Sequence, residues 1–202
     1  MGETILIGYF SEIEELCEKC STDIRGIVDI SPVECCGNYI GNDDYLVIHK
    51  DEYADCQLFI TPDSPMIRKR LYELYHKNGF SFSSLISPNS NISKSATIGA
   101  GVMIQDNCIV STNANIGKMV RLNSGAIVMH DSVVEDFCTI APAAVVLGKC
   151  LIEDGVYIGA NATILPGITV HKNAIVGAGA VVTKNVNEGE TVVGVPARPI
   201  TK

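Results

Sequence analysis

Residues 134–158 read VEDFCT IAPAAV VLGKCL IEDGVY I, a run of hexads that each open on an aliphatic residue. The register extends both ways. Ile86, Ile92, Ile98, Ile104, Val110, Ile116, Leu122, Val128, Val134, Ile140, Val146, Ile152, Ile158, Ile164, Val170, Val176 and Val182 keep it unbroken. Two residues before each stands a small or aliphatic residue, including Ala96, Ala114, Ala126, Ala144, Ala162, Ala174 and Ala180, with Ser, Cys, Val or Ile at the remaining places. A period of six fits neither the 3.6-residue period of an α-helix nor the two-residue period of a strand in an ordinary sandwich. It fits a β-solenoid in which short strands meet at regular corners.

The pattern resembles the hexapeptide repeat of left-handed parallel β-helix proteins, whose coils have three sides of six residues each. The resemblance implies that residues 18 apart stack, with inward aliphatics filling a narrow prism and coils joined by backbone hydrogen bonds about 4.8 Å apart. Such a coil turns against the usual right-handed crossover, so its hand comes from the resemblance and not from general topology.

With 202 residues and 47% hydrophobic content, the chain can bury a core as one domain or two. Its charge is uneven: residues 1–82 hold 7 Lys+Arg and 15 Asp+Glu, whereas residues 83–202 hold 8 and 8, so the net −8 lies in the first part. The split supports a boundary near residue 82 and argues against a nucleic-acid partner, which would need a basic face. No apolar run reaches membrane-spanning length and no signal-type core opens the chain, so a cytoplasmic protein without a membrane partner is expected. Of the eight cysteines, Cys108, Cys138 and Cys150 fall on the small inward position of the repeat and read as core. Cys17 and Cys20 form a CxxC on an expected helix without a matching second pair, and Cys35-Cys36 lacks ligand spacing, so no metal is expected.

In the first part, Thr4-Ile5-Leu6-Ile7-Gly8 reads as a buried strand, and Ser11 with Glu14 reads as a capping box opening a helix. Further strands are expected at Gly26-Ile27-Val28, Tyr45-Leu46-Val47-Ile48 and Leu58-Phe59-Ile60. A second helix should be capped by Ser64, carry Pro65 in its first turn, present Ile67, Leu71, Leu74 and Tyr75 as an apolar face, and end at Asn78-Gly79. Alternating strands and helices imply a small parallel α/β domain. In such domains the turn after the first strand is the usual place for ligand phosphates; here it reads Gly8-Tyr9-Phe10-Ser11, with one glycine and two bulky residues.

A small Rossmann-like α/β domain with a parallel sheet (1–82) followed by a left-handed parallel β-helix (83–202) resembles the sialic acid O-acetyltransferase family. That family includes the N-acetyltransferases of nucleotide-linked amino sugars. The resemblance covers essentially the whole chain. Its most specific stretch is Leu122-Asn123-Ser124-Gly125-Ala126-Ile127-Val128-Met129-His130-Asp131, continuing through Glu135-Asp136-Phe137 to Ala141-Pro142. Asp29 and Ile67-Arg68-Lys69 match further family positions.

The resemblance implies an acetyl-CoA-dependent sugar acetyltransferase with His130 as general base and Asp131 as the partner that orients it. Gly148, 18 residues on, would hold the thioester oxygen on its backbone N–H. It implies a homotrimer and acetyl-CoA in the groove between neighbouring β-helices, bordered by Gly148, Gly159, Ala160, Gly177, Ala178 and Arg198; the inward place of Cys138 argues against a cysteine nucleophile, so direct transfer without an acyl-enzyme is expected. The acceptor, a small-molecule sugar or nucleotide-sugar, would meet Gly8, Tyr9, Phe10, Asp29 and Arg68, and an N-acetylated nucleotide-linked amino sugar ranks ahead of an O-acetylated sialic acid or other sugar. Arg68, Lys69 and Arg70 are either a diphosphate clamp or solvated helix charges. Where many family members carry a second histidine, this sequence has Thr139. A zinc carbonic anhydrase needs three histidine ligands, and the solenoid holds only His130 and His171. A non-catalytic binding scaffold is the alternative from another class.

Overall fold

The computed structural model describes residues 3–32 and 38–200. Cys35-Cys36 lies outside them. The chain opens with β1 (Thr4–Ile7), α1 (Ser11–Lys19), β2 (Ile24–Val28), β3 (Tyr39–Gly41), α2 (Asp43–Ile48), β4 (Gln57–Ile60), α3 (Pro65–Lys77) and β5 (Ser81–Phe82). The five strands form one parallel sheet in the order β3-β2-β1-β4-β5. Strands β1 and β4 are largely apolar and almost wholly buried because α1 with Leu85 and Met103 covers one face and α2 and α3 with Met119 and Phe137 cover the other.

Three local expectations need correction. Tyr45–Ile48 is not a strand but part of α2. Asn42 accepts the Tyr45 N–H at 2.9 Å, and Asp43 and Asp44 lie in the first turn, where the helix dipole favours them. Of its apolar residues Leu46 is buried while Ile48 is exposed, which a central strand would not allow. The sheet edge is taken by β3 instead.

Helix α1 does begin at Ser11, but its N-cap is Phe10 and no side chain caps it. Glu14 is engaged elsewhere, accepting the Tyr9 hydroxyl at 3.0 Å, so no capping box forms. Pro65 does open α3, but Ser64 makes no side-chain cap, and Ile67 faces solvent. Leu71 and Tyr75 are buried as expected and Leu74 packs partly buried beside them, while Arg68 takes the buried place expected of Ile67. Asn78 caps its C-terminus, and Gly79 follows with φ +88°.

From Leu85 to Val182 the chain winds through two-residue strands that stack in parallel in three sheets, and the last strand, Arg198–Pro199, pairs antiparallel with Thr191–Val193. Partners lie 18 residues apart, as in Ile109↔Ile127, Asn115↔Val133 and Arg121↔Thr139. The aliphatic hexad positions from Ile104 to Val182, together with Cys108, Cys138, Cys150 and the alanines, form one continuous buried core. The corners share a single conformation. Every sixth residue from Gly101 to Gly179 has φ between 56° and 72°. That left-handed region costs a residue with a Cβ roughly 1–2 kcal/mol, and glycine, asparagine and aspartate hold most of these places.

One prism face carries Leu85, Met103, Arg121 and Thr139 outward, and the N-terminal unit covers it. Leu6 and Phe59 pack on Leu85 and Met103, while Leu71 and Tyr75 share a cluster with Met119 and Phe137. Two arginines lie in this seam. Arg68, fully buried, donates to the carbonyls of Pro62, Asp63, Met119, Phe137 and Cys138 and to Thr139 Oγ1. Arg121, also fully buried, stacks its guanidinium 4.5 Å over the Phe59 ring, and none of its side-chain nitrogens has a partner among the described residues. Among the described residues, no helix is long and apolar enough to cross a membrane.

Candidate active site

His130 and Asp131 sit at the prism edge opposite the covered face, where the strand Ile127–Val128 turns toward Val133–Val134. Neighbouring residues on a strand point to opposite sides, but this is a corner. Asp131 has φ +58°, and its Oδ2 lies 2.9 Å from His130 Nδ1. A carboxylate on Nδ1 favours the proton of a neutral ring there and leaves the Nε2 lone pair able to accept one. Half of the His130 side chain is exposed. Asp131 Oδ1 accepts Asn113 Nδ2 at 3.1 Å, and the Asp131 N–H donates to Thr112 O at 3.0 Å. The hydrogen bonds from His130 and Asn113, His130 first, hold the Asp131 carboxyl below its usual range.

The imidazole lies against Gly148. A Cβ there would fall 2.6 Å from both His130 Cε1 and Nε2, so any side chain would displace the ring. On either side the ladder is complete, Leu147 N–H donating to Ile164 O at 3.1 Å and Lys149 N–H to His130 O at 3.0 Å. The Gly148 N–H has no partner among the described residues. A fixed backbone donor of this kind beside an imidazole can stabilise an oxyanion on a carbonyl attacked there.

The other expected site residues fall into separate groups. Gly159 and Ala160 stack under Gly177 and Ala178 at a different prism edge, and a Cβ on Gly159 would meet Ala178 N at 2.6 Å, so close coil packing alone requires that glycine. Arg198 is exposed on the C-terminal strand and bonds its own neighbour, Ala197 O, at 2.8 Å. Gly8, Tyr9 and Asp29 come together: Gly8 has φ +87°, and Asp29 Oδ2 accepts the Tyr9 N–H at 3.0 Å. Phe10 projects beside them, exposed.

Arg68 is a correction. It is wholly buried with its donors committed to the seam, and Lys69 is paired with Asp154 at 2.9 Å, so these residues do not form a diphosphate clamp. Thr139, at the place of the second family histidine, is buried in the same seam and donates to Asp63 O at 2.8 Å. Burial pushes the Cys138 thiol up to about 12, which leaves it without nucleophilic character at neutral pH. No group of three or more His, Cys, Asp or Glu suited to a metal occurs among the described residues.

Sequence reading missed Asn113, and it missed that Glu153 Oε1 holds His171 Nδ1 at 3.1 Å. Both partners lie 18 residues before the group they hold, so the coil period itself is the signal that would find them.

Residues 149–184 match the model of the bacterial transferase hexapeptide (six repeats). The chain is similar over 100% of its length, and 98% of the other's, to perosamine N-acetyltransferase from Caulobacter crescentus with CoA and GDP-perosamine bound, at 26% identity and a TM-score of 0.94. The acetyltransferase domain of PglB from Neisseria gonorrhoeae FA1090 matches at 26% identity and a TM-score of 0.89, covering 99% of this chain and 100% of that one. WeeI from Acinetobacter baumannii AYE matches at 29% identity and a TM-score of 0.89, covering 98% and 99%. No curated protein sequence matches the chain. These likenesses bear out the resemblance to the nucleotide-amino-sugar N-acetyltransferases and the reading of the chain as an enzyme.

Proposed function

We propose that this hexapeptide-repeat enzyme transfers the acetyl group of acetyl-CoA to the amine of a nucleotide-linked amino sugar, with His130 as general base. The observation that carries the reading is the pairing of an oriented His130 with a free Gly148 N–H on the next coil. The amine lone pair attacks the thioester carbonyl carbon while Nε2 takes the N–H proton. Charge gathers on the carbonyl oxygen, facing Gly148 N–H, and Asp131 balances the imidazolium. Collapse breaks the C–S bond, and the imidazolium returns its proton to the departing thiolate. No acyl-enzyme forms, consistent with the burial of Cys138.

In this reading residues 1–82 form a Rossmann-like domain that holds the nucleotide near Gly8, Tyr9, Phe10 and Asp29, and residues 83–202 form a left-handed β-helix. The N-terminal unit lies on the prism face opposite the His130 edge, so one chain cannot bring its own nucleotide turn to its own base. A neighbouring copy must complete the site, which favours a homotrimer with acetyl-CoA between β-helices against Gly159, Ala160, Gly177, Ala178 and Arg198. Such a protein works in the cytoplasm, where acetyl-CoA and nucleotide sugars are found.

Thiol release from acetyl-CoA, measured across a panel of nucleotide-linked amino sugars, free amino sugars and sialic acid, tests the assignment. Turnover is expected with the nucleotide-linked amines. Turnover with hydroxyl acceptors alone would overturn N-acetylation, and no turnover with any acceptor would favour a binding scaffold.

A further inference from the structure

We propose that Asn113 is a positioning residue for the base, acting through Asp131; this rests on His130 being the base. Each oxygen of the Asp131 carboxylate has one side-chain partner: Oδ2 meets His130 Nδ1 at 2.9 Å, and Oδ1 accepts Asn113 Nδ2 at 3.1 Å from the coil before. The carboxylate stands on an exposed corner. Without the amide it could turn about its last bond and leave the ring unheld. Asn113 is itself anchored, its N–H donating to Ser95 Oγ at 3.1 Å one coil earlier. Ser95, Asn113, Asp131 and His130 thus form a chain of contacts climbing one edge of the prism.

Asparagine at a left-handed corner has a plain alternative reason, since it tolerates that conformation. Asn107, Asn161 and Asn173 occupy such corners, with φ of 60°, 57° and 56°. Among the described residues their side-chain amides bond nothing, whereas that of Asn113, at φ 57°, reaches the next coil. Backbone preference therefore does not account for the contact.

The chemistry also suits an amide. The charged groups facing Asp131 are His130, on its own corner, and Lys149, on the next coil. A third cation at the place of Asn113 would offset the negative charge that must stabilise the imidazolium. A neutral N–H fixes the oxygen and leaves that charge in place.

Two variants separate the amide from the backbone. Asn113→Gly keeps the left-handed corner and deletes the amide; Asn113→Asp keeps the shape and puts a carboxylate opposite Asp131. Both are compared with wild type and with Asn107→Gly in the full chain, by steady-state kinetics and by 15N NMR of the histidine-labelled protein at neutral pH. In wild type the His130 ring should show protonated Nδ1 and bare Nε2. In Asn113→Gly it should become a tautomer mixture, with kcat down about tenfold and KM for acetyl-CoA unchanged. Asn113→Asp should lose more. An unchanged ring and kcat in Asn113→Gly, or an equal loss in Asn107→Gly, would overturn the proposal. The NMR arm does not depend on turnover, so the two readings fail separately: an active His130→Ala protein sinks the base, and an unaltered ring sinks the role of Asn113.

Discussion

Two histidines of the solenoid lean on carboxylates through Nδ1, His130 on Asp131 at 2.9 Å and His171 on Glu153 at 3.1 Å, yet their surroundings differ. Above His130 lies Gly148, with no side chain and an N–H that has no partner among the described residues. Above His171, where Val170 bridges Val186, lies Asn187, whose N–H is spent on Glu190 Oε2 at 3.0 Å. Glu153 is also committed, its second oxygen accepting the Lys172 N–H at 3.0 Å and so tying one coil to the next. A histidine–carboxylate pair is thus not a site by itself. In the proposed reading the backbone donor beside it makes the difference, and the ring can lie against that donor because Gly148 has no Cβ to push it away.

The largest effect that would break this comparison is in His130→Ala. Losing a general base lowers kcat by about 10²–10⁴-fold, roughly 3–5 kcal/mol of barrier, with acetyl-CoA still bound. Stopped turnover with unchanged calorimetric binding of acetyl-CoA is the expected result, and near-normal kcat would remove the distinction between the two pairs.

Gly148→Ala sharpens the comparison from the other side. The added methyl would sit 2.6 Å from Cε1 and Nε2, and the exposed ring yields more easily than the backbone beneath it. The base then leaves its place over the free N–H, and kcat should fall about 10²-fold, the usual scale for spoiling an oxyanion-hole donor. The thermal midpoint should stay near wild type, because the glycine needs no left-handed backbone here; a collapsed midpoint would make Gly148 a folding residue instead.

Asp131→Asn comes next. A neutral amide can still hold Nδ1 but cannot balance the imidazolium, and on an exposed corner the loss should be about tenfold, less than for a buried pair. In the native protein the Asp131 carboxyl is held below its usual ~3.9, so the carboxylate stays ionised through the neutral range. The sign follows: its contribution to stability is present above the ordinary carboxylate range and is lost as pH falls through the depressed value. Native protein should therefore unfold at lower pH than Asp131→Asn, and acid midpoints that coincide within error would remove that coupling.

The contrast between the corners also shows what a sequence exposes. The hexad register is legible because an inward residue recurs every six positions and buries in one core, and the 18-residue stack carries Gly148 to His130 by arithmetic. Side-chain reach is harder to read. That Asn113 crosses to Asp131 while the side-chain amides of Asn107, Asn161 and Asn173 have no partner among the described residues depends on rotamers at like backbone corners. The first 82 residues lack any repeat, and there local signals competed. Tyr45-Leu46-Val47-Ile48 has strand composition, yet Asn42 with Asp43 and Asp44 starts a helix through it. Arg68 reads as a surface cation because arginine is mostly exposed, but the open carbonyls of the solenoid corner at Met119 and Phe137 draw it inward. Burial of that kind belongs to the seam between two units, which no local window contains.

His171→Ala should do least, and its smallness is the informative part. The pair is a partly exposed histidine resting on a carboxylate that keeps its own backbone bond to Lys172, so removing the ring deletes one side-chain contact and leaves the coil tie intact. Exposed pairs of this kind are worth about 0–1 kcal/mol, and the thermal midpoint should move by only a few degrees at most. Turnover should stay within about twofold of wild type, since no free donor stands beside the ring and a base without a place for the oxyanion supplies little. Measuring kcat and KM for both substrates in His171→Ala beside His130→Ala makes the test symmetrical. A loss at His171 comparable to that at His130 would mean that the occupied N–H of Asn187 opens when substrate arrives, and the rule drawn from the resting geometry of the two corners would fall.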